Sequence, residues 1–117
     1  MIRIIDKKNK IKLSELKKMA EEMCDYLVKG VVDVEKEILA IGGELHSDEE
    51  GFLIEIGSKY ENLWGINLYP DKKEDFIEFD SIINIKPSFG NRSRNVENPV
   101  IREKIIKVVK EIIENDI

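Results

Sequence analysis

Residues 31–41 read "VVDVEKEILAI", and the path of the chain through them decides the fold. β-Branched side chains crowd both ends, which favours extended backbone. The stretch is long for one strand, and the triplet Glu35-Lys36-Glu37 interrupts its apolar character. Two readings follow. In one, the triplet turns a hairpin whose arms are 31–34 and 38–41. In the other, a continuous strand carries Val32, Val34 and Ile38 inward. Asp33, Glu35 and Glu37 then alternate on the opposite face, where carboxylates can hold Mg²⁺. The hairpin is favoured, and under it those carboxylates belong to a solvated turn.

Upstream, "IRII" (2–5) reads as a first strand and "DKKNKIK" (6–12) as a polar turn. A helix is expected over about 14–29, capped by Ser14 with Glu15 in its first turn. Leu16, Met19, Ala20, Met23 and Leu27 recur at helical spacing, and Lys29-Gly30 supplies a stop. Downstream, "GGELHSDEEGFLIEIGS" (42–58) supports a short helix at 48–56, with Ser47 and Glu50 as a capping box and Phe52, Leu53 and Ile56 on one face. Gly51 and the Leu53/Ile54/Ile56 run also suit a strand. "LWGINLYP" (63–70) and "DFIEFDSIINIKP" (75–87) alternate as two long hairpin arms, the second ended by Pro87. The last helix opens at Asn98-Pro99. Its stripe of Ile101, Ile105, Val108 and Ile112 is widened by Ile106, Val109 and Ile113, which implies deep packing or a contact with a second copy. The order is β-α-ββ-α-ββ-α. It predicts a single α+β domain over 1–117, with a mostly antiparallel sheet of about five strands, covered by helices, and a long C-terminal helix.

The formal net charge of −5 opposes a nucleic-acid-coating role, which needs a basic face. Cys24 has no second cysteine to pair with, and beside an apolar stripe it reads as a small buried hydrophobe. Neither a signal peptide nor a membrane span is visible, so a cytoplasmic protein without a membrane partner is expected. Lysine and glutamate dominate the charges, Ile occurs nineteen times, and Gln and Thr are absent. That composition fits a thermophile or, equally, an AT-rich genome.

Two stretches are candidates for chemistry. In "SFGNRSRN" (88–95), Arg92 and Arg94 stand close together in a chain that uses fifteen lysines and four arginines. Arginine suits two-pronged recognition of carboxylate or phosphate. The loop feeds the start of the last helix, where free amides favour an anion. Asn91 and Ser93 flank the pair, and Asn84 is placed under it. A small anionic ligand or an acidic partner group is one reading. The other ties both arginines to the protein's own twenty-four acids. In "GELHSD" (43–48), Glu44, His46 and Asp48 share one face if the segment is extended. His46 could then act as a general base beside a carboxylate, in a hydrolase-like site that uses the arginines to stabilise charge. No metal or cofactor is called for. Asn67 and Asp80, with Asn84, line either the solvent face of the hairpin or the floor under the arginine loop. Trp64 and Tyr69 read as core and rim. A homo-oligomer joined through the C-terminal helix is a third reading.

The phrases "VVDVEKEILAIGGELHSDEE", "LWGINLYPDKK", "FIEFDSIINIKPS" and "GNRSR" together resemble DUF5674, a family of small prokaryotic proteins of unknown function. The resemblance spans nearly the whole chain and implies a complete, free-standing protein. The family has no established activity, so it assigns no role to any residue here.

Overall fold

The computed structural model describes residues 1–23 and 25–117. In it, the 31–41 stretch is a hairpin. Strands β3 (Val28–Asp33) and β4 (Ile38–Ile41) run antiparallel, with Asp33 opposite Ile38. Asp33 drives the reversal. Its Oδ1 accepts the backbone N–H groups of Glu35 at 2.9 Å and Lys36 at 3.0 Å, and its carbonyl accepts that of Glu37 at 2.9 Å. Its other carboxylate oxygen accepts the Ser58 hydroxyl at 2.7 Å, so the buried acid is fully used. Glu37 takes a left-handed φ of +57° to complete the turn. The continuous strand and its row of carboxylates therefore do not form.

Strand β1 (Arg3–Ile5) pairs with the far edge of β4, and β5 (Leu63–Leu68) pairs with β3. Strand β6 (Ile77–Glu78) closes the other edge. The five strands lie in the order β1-β4-β3-β5-β6, all antiparallel. A parallel pair, β2 (Ile11–Lys12) with β7 (Ile113–Glu114), ties the two ends of the chain together. The period of two in β3 divides the core. Val28 and Val32 face Leu16 and Ala20 of α1 (Leu13–Glu21) and Ile105, Val108 and Ile112 of α3 (Pro99–Ile112). Val31 faces the other way, packing with Ala40, Leu63 and Leu53 of α2 (His46–Glu55). The protein is thus α+β, as its sequence order predicts. The stripe on α3 is largely spent on this core: Ile105, Val108, Val109 and Ile112 are all buried.

Three local expectations need correction. The first helix ends at Glu21, and Lys29 and Gly30 lie inside β3. Residues from Val28 to Asp33 pair with β5, the last four of them, Gly30 to Asp33, pair with β4 as well, and this ladder outweighs continued helix. Ser14 is not the cap. Lys12 holds that position, while Ser14 donates its N–H and hydroxyl to Asp116. Cys24 lies outside the described residues. The second helix starts at His46, and its cap position, Leu45, makes no side-chain bond, so the Ser47–Glu50 box is absent. Its buried residues are Glu49 and Leu53, while Ile54 and Ile56 are exposed.

The second arm of the long hairpin is also shorter than its alternation implies. After Glu78 the chain leaves the sheet and passes through 3₁₀ turns at Ile82–Asn84 and Pro87–Phe89. Pro87 opens a turn here; it does not end a strand. Asn84 explains the departure. Its Oδ1 accepts the Gly65 N–H at 2.7 Å and its Nδ2 donates to the Gly65 carbonyl at 3.0 Å. One side-chain amide replaces the neighbouring strand that β5 would otherwise need. Gly65 admits this arrangement, because a Cβ there would lie 2.5 Å from that of Ser81.

Candidate functional site

The arginine loop is built around two buried amides. Besides its bonds to Gly65, Asn84 donates to the Arg94 carbonyl at 2.9 Å. Asn91 donates to the carbonyls of Asn84, Ser93 and Asn95, and accepts the Glu97 N–H at 2.8 Å. These two side chains fix where the arginines stand, and their polar atoms are occupied within the protein. Ser93 donates its hydroxyl to Glu97 at 2.7 Å, and the same carboxylate oxygen accepts the Arg92 N–H at 3.0 Å. Those bonds hold the Glu97 carboxyl below its usual range, the Ser93 hydroxyl contributing most. The loop thus already cradles an anion of its own. At the start of α3, the Asn98 side chain accepts the Val100 N–H at 2.9 Å, and Pro99 has no N–H to offer.

Arg94 is different. Its Nε donates to Asp80 Oδ1 at 2.6 Å, and neither of its Nη atoms has a partner among the described residues. The Arg92 side chain is exposed. An exposed pair such as Arg94–Asp80 contributes about 0–1 kcal/mol to stability. Its main effect is to aim the guanidinium.

His46 comes to the same region from α2. Its Nε2 lies 2.8 Å from the Ile66 carbonyl. Since a carbonyl can only accept, Nε2 carries the proton and Nδ1 keeps a lone pair. Burial lowers the His46 pKa below 6.5. The Ile66 carbonyl opposes that shift, Lys29 and Arg94 reinforce it, and Asp80 opposes it. The two candidate segments are therefore electrostatic neighbours. His46 and Asp48 are not the acid–base pair that an extended segment would make. Both lie on α2, where two residues are about 200° apart around the axis. The carboxylate whose charge reaches the ring is Asp80. Glu44 is exposed and offers its backbone carbonyl to Lys29 Nζ at 3.1 Å.

Asn67 completes the face. It sits opposite Lys29 on β3 and opposite Glu78 on β6. Its Nδ2 donates to Glu78 Oε1 at 2.8 Å and to the Asp80 carbonyl at 3.3 Å, while its buried Oδ1 has no partner among the described residues. Tyr69 donates to the same Glu78 oxygen at 3.1 Å. Trp64 lies in the main core.

The sequence reading missed the charges under α2. Glu49 is fully buried. One of its oxygens accepts the Gly43 N–H at 3.1 Å and the other has no partner among the described residues. Burial pushes its pKa up to about 9. Glu50 is raised by burial and lies 3.9 Å from Lys86 Nζ. Lys86 is buried and lowered by the same cause. It donates to the Ile83 carbonyl at 2.9 Å and stands 3.8 Å over the Tyr60 ring. The available signal was spacing: His46, Glu49, Glu50 and Leu53 fall at i, i+3, i+4 and i+7, the pattern of one helix face. Among the described residues, no group of three or more His, Cys, Asp or Glu is arranged to hold a metal ion, and no helix is long and apolar enough to cross a membrane.

The His46 environment makes a prediction. Because its folded pKa is lowered, the unfolded chain protonates first on acidification. This side chain's contribution to stability is then complete above pH 6.5 and is lost as pH falls through the folded value. An NMR titration of the ring protons is expected to give a midpoint below 6.5. A midpoint above it would contradict the buried, neutral tautomer.

The fold and this polar face together define a small α+β protein with an antiparallel sheet, helices on both sides and a charged cluster at the β5–β6 edge. The chain belongs to the family described as protein of unknown function, DUF5674, whose model matches residues 3–112. No curated protein and no solved structure matches it.

Proposed function

We propose that the protein is a non-catalytic binding module for a small anionic group, a carboxylate or a phosphate, held by Arg94 beside His46. The observation that carries this reading is the half-used guanidinium. Asp80 takes Nε, and both Nη atoms stay without a partner among the described residues. A planar fork held from behind is suited to two-pronged contact with an anion. Arg92 adds a second exposed cation two residues away, and Asn84 and Asn91 act as scaffold for the loop. The site is centred on Arg94 and not on the helix start, where Asn98 already takes the Val100 N–H and Pro99 has none to offer. Calorimetric titration with sulfate, phosphate and acetate tests this. Binding by the wild type is expected to fall at least about tenfold, or about 1.4 kcal/mol, in Arg94→Ala. Equal binding by both proteins, or none by either at millimolar anion, would remove the proposal.

A second reading rests on His46. A neutral imidazole with a free Nδ1 is the form a general base requires. Under that reading the protein is a hydrolase-like enzyme in which His46 takes a proton while Arg94 stabilises developing charge, with Asp80 in the place expected of Glu44 or Asp48.

A further inference from the structure

We propose that a second, lysine-rimmed cleft, separate from the Arg94 face, binds an organic anion with an apolar body. The cleft lies between α1, the loop joining β5 to β6, and the end of α3, and has a volume of about 610 Å³. That is within the range of roughly 300–1,000 Å³ typical of small-molecule sites. Lys17, Lys72, Lys73 and Lys110 stand around it, and Phe76 and Val109 line its apolar floor.

The charge balance is unusual for this chain. The protein carries a net charge of −5, yet among the described residues Asp71 is the one acidic side chain on the cleft wall. Asp71 pairs with Lys17 at 3.7 Å. Lys72 lies 4.3 Å from the centre of the Tyr69 ring. Lys73 and Lys110 have no ion-pair partner among the described residues. Ammonium groups gathered with too few acids repel one another, and an anion relieves that repulsion. The floor selects among anions. A fully hydrated inorganic ion gains nothing from the apolar floor, whereas an acyl or aryl body removes the partly exposed Phe76, Ile77 and Ile113 side chains of the cleft from water. The occupant is therefore an amphipathic anion with a carboxylate or phosphate head.

The test is an NMR titration of the isotope-labelled full chain with octanoate, octyl phosphate, octanol and inorganic phosphate. Octanoate or octyl phosphate is expected to shift the amide signals of Phe76 and Val109, and the stronger of the two identifies the head group. Octanol and inorganic phosphate are expected to bind at least about tenfold more weakly. The exposed double variant Lys73→Glu/Lys110→Glu is expected to weaken octanoate binding by a similar factor, as is salt at about 1 M, where screening acts within about 3 Å. Arg94→Ala is expected to leave it unchanged, which separates this site from the Arg94 face. Octanol binding as tightly as octanoate, unchanged binding by the lysine variant, shifts centred elsewhere, or no response to either amphipathic anion would overturn the proposal.

Discussion

Replacing Glu49 with glutamine is expected to stabilise the protein at pH 7 by roughly 3 kcal/mol. The pKa of Glu49 rises from 4.5 to about 9 in the folded protein, and burial is the main cause. A carboxyl with a raised folded pKa stabilises the fold fully below its unfolded value. That contribution is lost as pH climbs through the folded value. Between pH 4.5 and about 9 the folded chain must hold a proton that the unfolded chain releases. At about 1.36 kcal/mol per pH unit, this costs roughly 3 kcal/mol by pH 7. Glutamine needs no proton, and its carbonyl can still accept the Gly43 N–H. Urea denaturation across pH 5–9 is expected to show a falling stability curve for the wild type and a flatter, higher one for Glu49→Gln. Parallel curves would mean that Glu49 reaches solvent.

Asn84→Ala is expected to destabilise by about 3–5 kcal/mol. Alanine would strand the Gly65 N–H and the Gly65 carbonyl in a place that water does not reach, and would leave the Arg94 carbonyl with only the Ser81 N–H at 3.1 Å. Equilibrium denaturation measures the loss directly. Asn84→Asp sharpens the reading. It keeps the acceptor for the Gly65 N–H but sets a second carboxylate oxygen against two carbonyls, so its destabilisation is expected to shrink at acid pH. An alanine variant within about 0.5 kcal/mol of wild type, the usual range of surface changes, would contradict the role given to Asn84.

The legible parts of the fold are those where local pattern and tertiary pairing agree. β-Branched runs on either side of a polar triplet give the β3–β4 hairpin, and Asn98-Pro99 gives the start of α3 with a side-chain cap. The illegible parts are those where a tertiary contact overrides the pattern. Nothing local says that Val28 begins a strand, because its partner is Leu68 on β5, forty residues further along the chain. The alternation in 75–87 is real, yet Asn84 turns the chain out of the sheet by supplying an edge from its side chain. The same holds for the site. The sequence separates Arg94 from His46 by almost half the chain, and the fold makes them electrostatic neighbours. Glu49 and Lys86 look like surface residues by type. Their burial depends on how α2 lies on the sheet and on the turns after β6.

The most direct measurement is the His46 ring titration by NMR, repeated with sulfate, which remains dianionic across the range. Arg94 is among the charges that lower the His46 pKa. An anion seated on the Arg94 guanidinium would offset that charge and favour the imidazolium. The predicted result is a His46 midpoint that rises with sulfate in the wild type and does not move in Arg94→Ala. A midpoint that is indifferent to sulfate, or that rises equally in both proteins, would contradict an anion site at Arg94.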